Sequence, residues 1–231
     1  MNDRQICLLW DLDGTIIDSI DLHFESWRQA FQKYDKPITR SKFEETFGSN
    51  NHICIAGFLG YQPDERLFTE VSELKEQIFR DLALEHGRLF PGVLAWLSYF
   101  NKQNIKQAIA SSAPLENINS VINAFDLSKY FNAVVSGITL PSKPEPDIFL
   151  EAAKILKCKP CHAIVIEDSA QGLISGKAAG MLTVGLVSTQ PKDRIVADVV
   201  LDNFLSKPED FLQLITKLMA SRPSADNRST C

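Results

Sequence analysis

Ile6-Cys7-Leu8-Leu9-Trp10-Asp11-Leu12-Asp13-Gly14-Thr15 is the stretch on which the reading of the fold turns. Five residues with no polar face form a run of strand length, which suits a strand buried on both sides in a parallel sheet. Side chains alternate along extended backbone, so Asp11 and Asp13 point to the same side and can converge on one reaction centre. Gly14 then lets the chain turn. An Asp-Gly pair is also ordinary turn chemistry, so the two acids gain meaning from position. In open parallel sheets ligands collect beyond the carboxyl ends of the strands, and that is where this pair falls.

Five further apolar runs repeat the strand signal: Gln107–Ala110, Ala133–Val135, Ala163–Ile166, Leu182–Gly185 and Asp198–Leu201. Between them, 92–103, 114–124, 145–157 and 169–179 have helical spacing, the last with Ser169 as N-cap and Gly180 as its stop. This alternation, from about 88 to 218, predicts a doubly wound α/β domain. One segment interrupts it. From Asp18 to Gly87 the pattern is helical, with stripes at Leu22, Trp27, Phe31 and Tyr34 and at Leu67, Val71, Leu74 and Ile78. That is too long for a βα crossover and predicts an all-helical lobe inserted after the first strand. The expected division is 1–17 plus 88–219 as the core and 18–87 as the lobe. The stretch 220–231, poor in apolar residues, is expected to form a disordered tail.

The 231 residues carry 24 Lys+Arg against 29 Asp+Glu, a formal net charge of −5, with 45% hydrophobic content. This composition excludes collagen-like and wholly disordered classes. The mild acidity argues against a nucleic-acid or anionic-membrane surface, which would need clustered Lys and Arg. A small-molecule partner is expected, with the chain a monomer or weak homodimer. Five cysteines without a framework suggest a reducing compartment, and the early start of the first strand leaves no room for a signal peptide. A cytoplasmic protein is the expectation. Cys158-Lys-Pro-Cys161-His162 matches a haem-attachment string, but nothing else in the sequence supports haem, and the segment reads as a helix-to-strand connection stopped by Pro160.

Three more strand ends carry polar groups. Ser111-Ser112 closes the second strand with hydroxyls and backbone N–H groups ahead of a helix, a natural anion cradle. Lys143 stands in Ser142-Lys-Pro-Glu-Pro-Asp147 after the third strand, in a loop stiffened by two prolines. Glu167-Asp168 follows the strand Ala163–Ile166; adjacent strand residues face opposite ways, so only one of the pair readily enters the same pocket. Four acids at two strand ends would repel without a cation, and hard oxygen ligands suit Mg²⁺.

These four stations, Asp11-Leu-Asp-Gly-Thr15, Ser111, Lys143 within Lys-Pro-Glu-Pro-Asp147, and Glu167-Asp168, resemble the four motifs of the haloacid dehalogenase superfamily. The helical insertion after the first motif, with Phe90-Pro-Gly-Val93 where the core resumes, resembles the C1 cap of the β-phosphoglucomutase-like phosphatase subfamily. The resemblance implies a Rossmann-like core with an inserted all-helical cap and a Mg²⁺-dependent phosphatase acting on a small phosphorylated metabolite. Asp11 would be the nucleophile and Asp13 the acid–base, with Ser111, Ser112 and Lys143 holding the phosphoryl oxygens. Asp11, the Asp13 carbonyl and Asp168 would ligate the metal, Glu167 directly or from behind.

Asp18-x4-His23-x3-Trp27 resembles the subfamily's first cap helix, in which the histidine faces the active site; His23 reads equally as an ordinary polar helix position. The mutase itself carries an arginine shortly after a glycine in the next cap segment, where this chain has Gly48-Ser49-Asn50-Asn51-His52. Losing that cation points away from the mutase and leaves Asn51 as a candidate substrate contact. A phosphohexose mutase and a non-catalytic phosphate-binding regulator remain as alternatives.

Overall fold

A computed structural model describes residues 6–46 and 50–221. Six parallel strands form one sheet in the order β3-β2-β1-β4-β5-β6. They are β1 (Cys7–Trp10), β2 (Lys106–Ser111), β3 (Ala133–Ser136), β4 (Ala163–Glu167), β5 (Leu182–Leu186) and β6 (Val199–Leu201). The expected strands are all present, β3, β4 and β5 longer by one residue, β2 by two, and β1 and β6 shorter by one. The order reverses at β1, which has β2 on one side and β4 on the other, so the crevice for a ligand opens at its carboxyl end.

Strand alternation builds the two faces of the sheet. Leu8, Trp10, Ile109, Ile164 and Ile166 pack on one side with Trp96 and Phe100 of α5 (Val93–Lys102) and Phe211 of α9 (Pro208–Ser221). Cys7, Leu9, Ala108, Ala110 and Val165 pack on the other with Phe149 and Ala152 of α7 (Asp147–Leu156). The remaining core helices are α6 (Leu115–Ala124) and α8 (Ala170–Ala178). Ser169 does cap α8, its Oγ accepting from Gly172 N at 3.0 Å, and Gly180 lies beyond its end at φ +76°. Ala220 and Ser221, expected in a loose tail, close α9 instead; 222–231, expected to be disordered, lie outside the described residues. The segment around Cys158–His162 is a helix-to-strand connection containing one 3-10 turn, Pro160–His162.

Between β1 and α5 every described element is helical: α1 (Ile20–Gln32), α2 (Arg40–Thr46), α3 (Asn51–Leu59) and α4 (Glu65–His86). Trp27, Phe31, Phe43, Ile55, Phe58 and Val71 form a separate small core for this cap. The predicted stripe on α4 needs correction. The buried positions are Val71, Lys75, Glu76, Phe79 and Ala83, whereas Leu67, Leu74 and Ile78 are only half-buried. The buried stripe thus includes a charged pair, Lys75 and Glu76, which side-chain hydrophobicity alone assigns to solvent. On α1, Tyr34 likewise falls beyond the helix, and Ser26 and Ala30 share the buried face with Leu22, Trp27 and Phe31. Since Val71 packs in the cap while Phe79 and Ala83 pack in the main core, α4 spans both. No described helix is long and apolar enough to cross a membrane.

Candidate active site

β1 ends at Trp10, and Asp11 continues its pairing for one residue, its N–H donating to the Ile166 carbonyl at 2.9 Å. This places the Asp11 carboxylate at the centre of the crevice, 7% exposed. Lys143, in the loop after β3, reaches over it. Its Nζ donates to Asp11 Oδ1 at 2.6 Å and to Glu167 Oε1 at 2.8 Å. Burial would push the ammonium towards its neutral form, but the two carboxylates outweigh that and hold it charged. Burial also raises the Asp11 carboxyl well above the usual carboxylate range; Lys143 opposes this, while Glu167 and Asp168 reinforce it.

Glu167 is spent on the protein. Beyond Lys143, its Oε2 accepts from Ser169 N at 2.6 Å, and the side chain is 2% exposed. Asp168, one residue past the end of β4, also borders the crevice, and accepts from Thr15 Oγ1 at 3.1 Å and from the Thr189 hydroxyl. Burial, then Glu167, push its carboxyl up to about 7. Gly14 makes this possible: φ is +82° and a Cβ there would sit 2.3 Å from Asp168 Oδ2. Ionised together, Asp11, Glu167 and Asp168 would carry more negative charge than Lys143 offsets, the condition that raises two of their carboxyls and favours a cation. Among the described residues no three His, Cys, Asp or Glu side chains stand as a ready metal site. Two carboxylates, Asp11 and Asp168, with the Asp13 carbonyl could hold a hard cation.

Gly172 lies beneath this cluster. A Cβ there would fall 1.7 Å from Glu167 Oε1, and Glu167 is fixed by two hydrogen bonds and has no room to swing. Alanine in a helix ordinarily gains up to about 1 kcal/mol over glycine; here overpacking reverses the sign. Gly172→Ala is expected to destabilise the protein by about 1–3 kcal/mol in urea unfolding. A more stable variant would show that Glu167 can leave its place.

Ser111 ends β2 beside β1. It is 2% exposed, and its Oγ accepts from Ala113 N at 3.1 Å, shaping the turn that opens α6. Ser112 is exposed. The sequence-predicted residues Asp11, Ser111, Lys143, Glu167 and Asp168 thus occupy the carboxyl ends of the neighbouring strands β1 to β4 or the loops just after them.

Asp13 faces the cap. Its Oδ1 lies 3.1 Å from His23 Nε2 on α1, and His23 stacks on Phe79 of α4 at 4.2 Å. The other ring nitrogen, Nδ1, lies 3.1 Å from Lys75 Nζ. An ammonium has only donors, so Nδ1 accepts and Nε2 carries the proton towards Asp13. Burial raises the Asp13 carboxyl, but His23, Ser19 and Lys75 together pull it below the usual range. Lys75 is held in turn by both oxygens of Glu76 at 3.1 Å. Asn51, the candidate substrate contact, donates to Glu76 Oε1 at 2.9 Å; Gly48 and Ser49 lie outside the described residues.

The sequence reading quoted Thr15 without a role and missed Thr189, Lys75, Glu76 and Asn117, whose amide donates to Glu76. Lys75 left one trace. With Val71, Phe79 and Ala83 it makes a run spaced four apart, so a lysine on an otherwise apolar stripe was visible.

Residues 8–186 match the family model described as haloacid dehalogenase-like hydrolase. Among curated relatives, the β-phosphoglucomutase of Bacillus subtilis is 32% identical over 192 residues, covering 80% of this chain and 84% of that protein. The phosphorylated carbohydrates phosphatase of Thermotoga maritima is 29% identical, covering 92% and 99%. Among solved structures, a HAD hydrolase of family IA, variant 3, from Entamoeba histolytica superposes with a TM-score of 0.83 at 25% identity, covering 91% and 99%. The fold, the crevice and these matches agree, and the chain belongs to the haloacid dehalogenase-like hydrolases.

Proposed function

We propose that this chain is a Mg²⁺-dependent phosphatase of small phosphate monoesters, sugar phosphates or similar metabolites, working through a phosphorylated Asp11. The observation that carries the reading is the Lys143 ammonium 2.6 Å from Asp11 Oδ1 in a crevice ringed by further acids. A buried carboxylate beside a fixed cation is a nucleophile already oriented at the place where phosphoryl oxygens would need charge compensation. Names of relatives support the substrate class: a β-phosphoglucomutase, a phosphorylated carbohydrates phosphatase and a hexitol phosphatase. The proposed units are a core of 1–17 and 88–221 and a cap of 18–87.

In the first step an Asp11 oxygen bonds to phosphorus as the bond to the leaving oxygen breaks, giving an acyl phosphate. Asp13, which His23 and Lys75 hold ionised in the free protein, would take up a proton from the protonated phosphate ester as it enters, pass it to that alkoxide, and then take one from the water that hydrolyses the acyl phosphate. His23, donating to Asp13 from the cap, aligns its carboxyl for both transfers. Lys143, the Ser111 hydroxyl and the backbone at Ser112 hold the phosphoryl oxygens. Asp11, Asp168 and the Asp13 carbonyl would hold Mg²⁺, which when bound supplies the positive charge that lets two anions approach. Glu167, engaged by Lys143 and Ser169 N, would act from behind that set.

A panel of phosphate esters tests the reading. Phosphate release from hexose or hexitol phosphates, abolished by EDTA and restored by Mg²⁺, is the expected result. Isomerisation of β-glucose 1-phosphate without net release would favour the mutase, and binding without turnover would favour the regulator.

A further inference from the structure

The core helix α6 packs against α4 through apolar side chains, Phe79 and Ala83 against Ile118, Val121 and Ile122, and through one buried amide. Asn117, 1% exposed, donates from Nδ2 to Glu76 Oε2 at 2.5 Å and accepts at Oδ1 from Arg80 Nη1 at 3.0 Å. Glu76 and Arg80 lie one turn apart on the same face of α4, so both ends of one amide are gripped by one helix. From Glu76 the contacts continue without a gap through Lys75 and His23 to Asp13. The cap therefore meets the core twice along one polar chain, at Asn117 and at Asp13. The Asn117 contact is eleven residues before Gly87, where α4 ends, or about 16 Å along a helix.

We propose that Asn117 is a positioning residue: by clamping Glu76 and Arg80 it fixes the rotation of α4, and so sets Lys75 and His23 against Asp13. The amide offers a donor at one end and an acceptor at the other, as the two contacts require. Leucine offers neither. Aspartate keeps the Arg80 contact and opposes Glu76. The inference rests on the assignment of Asp13 as acid–base in the proposed phosphatase.

The test is an exchange of groups. Asn117→Asp, Glu76→Gln and the double variant are compared with wild type, using p-nitrophenyl phosphate and Mg²⁺, with urea unfolding to establish that each is folded. Asn117→Asp is expected to lower kcat at least tenfold with KM changed less than threefold. Adding Glu76→Gln restores a donor opposite the new carboxylate at unchanged net charge, and should recover much of that loss. Arg80→Met, which removes the half-buried arm alone, should give an intermediate loss. A double variant no better than the product of the single losses, or an Asn117→Asp enzyme with wild-type kcat, overturns the proposal.

The ¹⁵N resonances of the His23 ring, assigned through His23→Gln, give a second readout that needs no turnover. Wild type should show a proton on Nε2, Asn117→Asp a mixture of tautomers, and the double variant a return to Nε2. Identical ring resonances in all three overturn the proposal too. Activity surviving in Asp11→Asn would instead sink the reading of the reaction while leaving the ring comparison intact.

Discussion

Asp11→Asn is expected to lower phosphate release by at least about 10⁴-fold while leaving the fold intact. Losing a nucleophile removes the covalent route altogether, and what survives in such enzymes is the smaller contribution of binding and charge stabilisation. The two consequences separate because asparagine is nearly isosteric and its Oδ1 can still accept from Lys143. It also withdraws one negative charge from a buried cluster in which Glu167 and Asp168 already disfavour the ionised form of Asp11. Stability should therefore hold or rise by about 1 kcal/mol in urea unfolding. Equal and large losses of activity and stability would show only a damaged fold. Substantial turnover by a folded variant would remove Asp11 from the role of nucleophile. Mass spectrometry of enzyme quenched during turnover adds a positive sign, a phosphoryl adduct on the peptide that contains Asp11.

The contrast between what the sequence displays and what it hides follows from the range of each interaction. The acids after β1 are legible because strand alternation and the turn at Gly14 are local, and the run from Ile6 to Trp10 has no polar face to suggest anything but a buried strand. The helical insertion is equally plain, since some 70 residues of helical pattern exceed any crossover. The cap network is not. Lys75 and Glu76 are adjacent charges that look solvated, and their burial depends on His23, 52 residues away, and on Asn117, 41 residues from Glu76. Nothing in a linear pattern pairs those positions. Thr189 is similar: one hydroxyl after β5, meaningful only because β5 lies beside β4 and brings it to Asp168. Polar residues that serve one another across the fold leave little trace in periodicity, whereas those that follow a strand end do.

Lys143→Met should be the most damaging single change after the nucleophile, on two separate measurements. The side chain is 8% exposed and its Nζ stands over the Phe149 ring at 5.0 Å, so methionine retains the apolar stem and its packing while removing the charge. Asp11 and Glu167 then face each other with no cation, and Asp11, already pushed up by burial, becomes still harder to ionise. Breaking a buried pair by deleting one partner costs about 3–5 kcal/mol when the other charge persists. Proton uptake by Asp11 relieves part of this, so a loss of about 2–4 kcal/mol is expected in urea unfolding. Turnover should fall by about 10²–10³-fold from the lost charge on the phosphoryl oxygens alone, and further because the nucleophile is more often protonated. Lys143→Arg separates the two effects. It keeps the positive charge, so most of the stability should return, but a planar fork cannot replace a point charge poised 2.6 Å from Asp11 and 2.8 Å from Glu167. Turnover by Lys143→Arg should therefore stay at least tenfold below wild type. Full activity in that variant would mean that Lys143 supplies only charge, and that the geometry of its two contacts has no part in the chemistry.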